Sequence, residues 1–132
     1  MKKKLPFKAK APVLKATIRE LIDSRSALQN LITQPLPATT AFNLARLIQQ
    51  LNPELQAYES TRLKLCEQYG ELDKSRNEYQ FKKDAQAAFD REIGDLLVTN
   101  TEIAGEKIPL ANLSLAKLSA VDALNLQWLI AE

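Results

Sequence analysis

The chain has 132 residues, of which 45% are hydrophobic and 26% charged, so it can form one domain and is too short for two independent cores. It contains no histidine, which removes the commonest general base and the commonest metal ligand. The single cysteine, Cys66, excludes an internal disulfide and indicates a reducing compartment. No apolar run approaches the roughly 20 residues that a membrane-spanning helix needs.

The charge is unevenly distributed along the chain, although its net value is only +2. All the charged residues before Glu20, apart from Arg19, are lysines: Lys2, Lys3, Lys4, Lys8, Lys10 and Lys15. The remainder of the chain is therefore close to neutral or mildly acidic. Pro6 and Pro12 disfavour helix around them. The sequence predicts a basic flexible arm over residues 1–12 and a single helical domain over residues 13–132.

Two helices are predicted in the first half of the chain. The first begins at Pro12 or Val13 and ends by Gln34, because two prolines follow. The second begins near Phe42, ends at Gly70 and contains Pro53. Either the helix kinks at Pro53 or two helices meet there, and the unbroken apolar periodicity favours one kinked helix.

The second half of the chain has weaker periodicity. Residues 71–79 are polar and predict a loop, and a third helix follows over about 79–97. Strand-forming residues and Gly105 then predict a small β-ribbon. A last helix begins at Ala120 with Ser119 as its N-cap, and Leu124, Trp128 and Leu129 give it an apolar face. The predicted fold is mainly α, a small helical bundle with one long kinked helix and a minor β-ribbon near residues 99–116.

Several segments between residues 34 and 132 together resemble a known family. They are Leu36-Pro37, Ala41, Leu44-Ala45-Arg46-Leu47, Leu51-Asn52-Pro53-Glu54-Leu55, Tyr58-Glu59, Arg62-Leu63, Tyr69-Gly70-Glu71, 89–97, Lys107-Ile108-Pro109-Leu110, Leu118-Ser119 and Trp128-Leu129-Ile130. This pattern is similar to an uncharacterised family of small tailed-bacteriophage proteins that are often encoded near virion or tail genes. The resemblance implies a phage protein present in the host cytoplasm during assembly or in the virion. It implies no catalytic or ligand-binding residues, since its motifs are mostly packing positions.

The lysines of the arm are the first candidate site. Lys2, Lys3, Lys4, Lys8 and Lys10 could follow a phosphate backbone, dock on an acidic face of a neighbouring subunit, or belong to a solvated terminus. The arm has one aromatic residue, Phe7, and no arginine, so base stacking and bidentate base recognition are poorly supported.

Two further candidates lie on the predicted helices. Leu14, Ile18 and Leu21 form part of a broad apolar face that packs either on this domain or on a neighbouring protein. Arg62 follows Glu59 by three residues, so it forms either a local ion pair or a bidentate contact with a partner's carboxylate. No catalytic residue, metal site or cofactor is predicted, because Cys66 has no histidine to activate it and no phosphate-binding loop is present.

These observations predict a phage-encoded virion structural or assembly protein that acts by protein–protein contacts with other virion proteins or with itself. The alternative is a small phage effector that binds and inhibits a host protein, such as a defence or transcription complex. A third hypothesis is a nucleic-acid-binding accessory protein that uses the lysine arm. An enzyme and a membrane partner are not predicted.

The arm hypotheses are separated by salt-dependent retention on immobilised duplex DNA. The nucleic-acid hypothesis predicts retention of the full chain that falls as salt rises and is lost when residues 1–10 are deleted, because each lysine–phosphate contact releases counterions. A deletion that leaves retention and every other interaction intact would show that the arm hypotheses are wrong.

Overall fold

A two-stranded antiparallel sheet joins the first described residues to a segment about 90 positions later in a computed structural model that describes residues 12–131. Strand β1 (Val13–Thr17) pairs with β4 (Asn100–Ala104), with Leu14 opposite Ile103. Burial alternates along β1, as a strand with one buried face requires. The prediction that the first helix begins at Pro12 or Val13 is therefore wrong for residues 13–17.

Helix α1 (Ile18–Leu31) begins directly after β1, at a capping box. The hydroxyl oxygen of Thr17 accepts a hydrogen bond from the Glu20 N–H at 3.1 Å, and the Glu20 carboxylate accepts one from the Thr17 N–H at 2.9 Å. These two bonds satisfy N–H groups that have no partner within the helix. They fix the change from strand to helix at Thr17.

Helix α2 (Ala38–Tyr69) runs without interruption through Pro53, so the prediction of one long helix is confirmed. Proline removes one helical hydrogen bond, which would be that to the Gln49 carbonyl, and both residues lie on the exposed side of the helix. The two halves of α2 differ in burial. The first half buries Leu44, Leu47 and Leu51, whereas the second half buries only Cys66.

One hydrophobic core gathers residues from nearly every element around the first half of α2. Its buried members are Leu14, Ala16, Leu21, Ala27, Leu28, Leu31, Leu44, Leu47, Leu51, Ile103, Ile108, Leu113, Leu126, Trp128 and Leu129. The only buried polar side chains in residues 12–131 belong to two residues, and both form hydrogen bonds. Ser24 donates to the Leu21 carbonyl, and Thr40 accepts from Asn112. Among the described residues, the Trp128 Nε1–H is the one buried side-chain donor that has no hydrogen-bond partner.

A β-hairpin occupies most of the segment predicted to be a loop. Strands β2 (Gly70–Asp73) and β3 (Glu78–Phe81) pair antiparallel, and the turn between them is held by Asp73, which accepts hydrogen bonds from the N–H and hydroxyl of Ser75. These bonds lower the pKa of the Asp73 carboxyl. Asn77 completes the turn with a φ of 54°, a conformation that asparagine tolerates.

Helix α3 (Lys83–Leu97) returns from the hairpin along the second half of α2. None of its residues is fully buried, and its apolar side packs in a thin layer in which the rings of Phe81 and Phe89 are 4.7 Å apart. We call residues 57–97 the distal arm. Helix α3 begins at Lys83, four residues later than the predicted start near residue 79, because residues 78–81 belong to β3.

The last segment contains short elements. Strand β5 (Ile108–Pro109) is followed by a 3-10 helix (Leu110–Leu113), then by α4 (Ala120–Asn125) and β6 (Ile130–Ala131), which pairs parallel with β5. The predicted mainly α fold with a minor β component is confirmed, although β4 and β5 pair with β1 and β6 and not with each other. Ser119 caps α4 as predicted, accepting from the Asp122 N–H.

The close approach at Gly70 predicts that Gly70→Ala destabilises the protein. An added Cβ would lie 2.9 Å from the Cys66 carbonyl oxygen and 3.0 Å from the Phe81 ring, so the end of α2 or β3 must shift. We expect a loss of about 1–3 kcal/mol in the free energy of unfolding, measured by denaturant titration. Gly94→Ala is the matched control. It meets nothing within 4 Å on exposed α3, and we expect it to stabilise the protein by up to about 1 kcal/mol. Equal effects of the two substitutions would contradict the packing described at Gly70.

The burial of Leu21 predicts a second difference in stability. We expect Leu21→Ala to cost about 2–5 kcal/mol of unfolding free energy, because it leaves a cavity in the core. Leu63→Ala, at a position 43% exposed on α2, should cost much less. Similar losses in both variants would show that Leu21 does not pack as described.

Candidate partner-binding surfaces

The structure uses the predicted apolar contact residues in its own core. Leu14, Ile18 and Leu21 are 4%, 5% and 0% exposed, respectively. Leu14 belongs to β1 and faces Ile103, while Ile18 and Leu21 lie in the first turn of α1. The prediction that these three side chains contact a partner is corrected accordingly, because this fold leaves them no accessible surface. The predicted arm residues Lys2, Lys3, Lys4, Lys8 and Lys10 lie outside the described residues.

Arg62 forms a local ion pair on α2. Its Nε donates to Glu59 Oε2 at 3.1 Å and its Nη2 donates to Glu59 Oε1, so both carboxylate oxygens are engaged. Hydrogen bonding from Arg62 lowers the pKa of Glu59 and raises that of Arg62. The pair therefore stabilises α2 above the ordinary carboxyl pKa and is lost as the pH falls through the lowered value. Both side chains are partly exposed, so this contribution is a few tenths of a kcal/mol.

Cys66 lies buried on α2 beside Arg62. It is 4% exposed, and Arg62 Nη1 lies 3.7 Å from its sulfur. Over residues 12–131, no group of three or more histidine, cysteine, aspartate or glutamate residues is placed to hold a metal ion. Within the same range, no helix is long and apolar enough to cross a membrane.

Exposed apolar side chains lie at the end of the molecule where α1 finishes. Two hydrogen bonds connect the segments here. The Asn30 side-chain amide donates to the Asp122 carboxylate at 3.4 Å, and the Lys117 N–H donates to the Gln34 side-chain oxygen at 3.3 Å. The segment 110–125 is thereby held against the end of α1 and the connector that follows it. We call the exposed apolar residues here the end surface: Ile32, Leu110, Leu115, Val121 and Leu124.

The members of the end surface are strongly exposed for their type. Leu115, Val121 and Leu124 are 76%, 64% and 62% accessible. Val121 and Leu124 are three residues apart in α4 and so share one side of that helix, while Asp122 lies against α1. Single exposed leucines are ordinary, but several at one end of a small protein are typical of a protein-contact surface.

A second feature is a groove between the first half of α2 and residues 104–109. Its volume is about 680 Å³, and its walls combine buried apolar residues such as Leu44 and Leu47 with the polar side chains of Asn43, Arg46 and Lys107. Gln50 crosses the groove to β4. Its side-chain amide donates to the Ala104 carbonyl at 2.9 Å and accepts from the Ala104 N–H at 3.0 Å. The two hydrogen bonds between Gln50 and Ala104 therefore bridge the walls of the groove at this point.

The third feature is the outer edge of β1. The Gly105 N–H donates to the Pro12 carbonyl and the Ile18 N–H to the Thr99 carbonyl. In an antiparallel pair, the main-chain N–H and C=O groups of successive residues point alternately toward the partner strand and away from it. Leu14 and Ala16 therefore direct these groups toward β4, whereas Val13 and Lys15 direct theirs away from it. No described residue forms a hydrogen bond with the main chain of Val13 or Lys15. We call this the open edge.

The sequence indicated neither the end surface nor the open edge. Leu124, Trp128 and Leu129 were predicted to form the apolar face of the last helix, yet α4 ends at Asn125. Leu124 is 62% exposed, whereas Trp128 and Leu129 follow the helix and are buried.

The sequence of residues 13–17 does not alternate between polar and apolar residues, and the spacing of Leu14 and Ile18 favoured a helix. The only signals for a strand were the β-branched residues Val13 and Thr17.

The chain matches no protein-family model, no curated protein and no solved structure.

Proposed function

We propose that this chain is a phage-encoded structural or assembly protein that acts by contact with other virion proteins. The phage origin is supported by the sequence resemblance described above. The mode of action is supported by one structural observation, the end surface, whose five large apolar side chains have no covering element among the described residues.

The chemistry of the end surface suits a protein partner. Burial of an exposed leucine or valine side chain contributes about 1.5–3 kcal/mol, so a partner that covers three of them gains several kcal/mol before ordering costs are subtracted. Asp122, which lies between Val121 and Leu124 in α4, is polar and accepts a hydrogen bond from Asn30. An apolar centre with a polar rim is the usual composition of a protein interface.

The rigidity of this end also supports the proposal. Segment 110–125 is tied to α1, to the connector and to the start of α2 by three side-chain hydrogen bonds, which involve Asn30, Gln34 and Thr40. A surface held in one conformation loses less entropy on binding than a mobile one. Val121 and Leu124 are thus presented in a fixed arrangement by a helix that itself buries no side chain.

The test is incorporation of a doubly substituted chain into particles. We expect V121D/L124D to fold normally, because both positions are exposed, and to lower the amount of the chain in particles or assembly intermediates by about tenfold or more. The measurement is quantitative mass spectrometry of particles purified after complementation of a gene deletion. Circular dichroism and thermal unfolding of the purified variant check its fold.

Val98→Asp is the matched control, since Val98 is 66% exposed but follows α3, next to the beginning of α1. The end surface lies at the other end of α1, whose 14 residues span about 21 Å. We expect V98D to be incorporated like the unsubstituted chain. Absence of the unsubstituted chain from both particles and intermediates would refute the proposal and favour the effector hypothesis. Equal loss with V98D would show that incorporation does not depend on the end surface.

A further inference from the structure

The two outer edges of the β1–β4 sheet are treated differently by the fold. On β4, both outward main-chain groups of Ala104 are hydrogen-bonded to the side-chain amide of Gln50. On β1, the outward groups of Val13 and Lys15 receive no hydrogen bond from any described residue, and Val13 is 48% exposed. The β4 edge is therefore closed at Ala104 by a side chain that imitates a strand, while the outward groups of Glu102 and Asn100 receive no hydrogen bond from a described residue. The β1 edge keeps the donors and acceptors of Val13 and Lys15 in the spacing that a strand needs.

The described residues leave a depression beside the open edge. This open depression of about 760 Å³ is bordered by residues 12–15, by Glu20 and by residues 105–107, with Trp128 in its wall. The carboxylate of Glu20 accepts a hydrogen bond from the outward N–H of Thr17, so the strand-pairing positions end there. Among the described residues, an incoming segment therefore has Val13 and Lys15 to pair with.

The charges along the sheet specify the chemistry of the incoming segment. Lys15 lies opposite Glu102 across the β1–β4 pair, and both are exposed. Opposite charges on neighbouring strands stabilise a sheet, and like charges destabilise it. On the open side, no described strand places an acidic side chain opposite Lys15. The residue of an added strand that lies directly opposite Lys15 is therefore favoured to be a carboxylate. The acidic residues that border the depression are Glu20, which is engaged in the helix cap, and Glu106, while Lys107 adds a second positive charge.

A second copy of this chain fits this edge poorly. Full overlap of β1 with β1 of another copy in antiparallel register places Lys15 directly opposite Lys15, which is unfavourable. Each copy also carries five further lysines before β1. The same lysines favour an acidic segment of a different protein.

We propose that the open edge of β1 binds an extended, acidic segment of a partner protein by adding it as a third strand to the β1–β4 sheet. Main-chain hydrogen bonds to Val13 and Lys15 hold the segment, and a carboxylate beside Lys15 selects it. This inference names a partner chemistry for the proposed protein-contact function and rests on it. It concerns a surface distinct from the end surface.

The direct test is a titration with a synthetic peptide, monitored by the fluorescence of Trp128. Trp128 is the only tryptophan in the chain and borders the depression, so a bound strand should change its emission. The probe is an acetylated and amidated octapeptide of alternating valine and glutamate. We expect saturable binding that weakens about tenfold or more when every peptide nitrogen is methylated, because methylation removes the main-chain donors and keeps the charges.

Substitutions in the protein separate charge from strand pairing. We expect K15E to weaken binding about tenfold and K64E, at an exposed position on α2, to leave it unchanged. K15P removes the outward N–H of β1 and should abolish binding, provided that circular dichroism shows a folded chain. The methylated peptide gives the same information if K15P does not fold.

Four results would overturn the inference: no saturable binding of the octapeptide, equal binding of the methylated peptide, equal loss with K15E and K64E, or displacement of the peptide by a DNA oligonucleotide that binds more tightly. Self-association that is lost in K15P would assign the edge to a second copy instead. Since the titration needs no particle, its failure is distinguishable from failure of the virion incorporation test.

Discussion

The pairing of β1 with β4 is the constraint on which the rest of the fold depends. It joins residues about 90 positions apart, so its formation closes nearly the whole described chain into one loop, at a conformational cost that grows only slowly with loop length. The core-facing residues Leu14 and Ile103 offset that cost by burial against the first half of α2. The same pairing sets where α1 begins, because the strand ends at Thr17 and the capping box forms there.

Helix α2 connects two regions of different packing density. Its first half is covered by α1 and by the carboxyl-terminal segment, and it supplies Leu44, Leu47 and Leu51 to the core. Its second half forms the distal arm with the hairpin and α3, where no α3 residue is fully buried. Regions with few buried contacts open at lower free energy than a packed core. The distal arm is therefore expected to open at lower free energy than the core around the first half of α2.

The sequence was sufficient for the long elements and insufficient for the short ones. Long periodic runs, with proline at 35 and 37 and glycine at 70, identified α2 as one helix. They also placed the carboxyl-terminal ends of α1 and α3 within three residues of those in the structure. Residues 13–17 were misassigned because Leu14 and Ile18 fit a helical spacing, and only the distant partner strand selects the extended conformation. Residues 70–81 were misassigned because the hairpin depends on the Asp73 turn and on packing against α2, not on apolar alternation. Neither candidate surface was identified, since exposure is decided by which other segments cover a residue.

The amide of Gln50 has a consequence for the order of any assembly formed through the sheet. Because it already occupies Ala104, growth on that side would require the amide to be displaced from two hydrogen bonds at once. Without that displacement, a strand added on the β4 side can pair only with Glu102 and Asn100, whose outward main-chain groups form no hydrogen bond with a described residue. The amide of Gln50 therefore limits the length of strand that can be added on this side of the sheet.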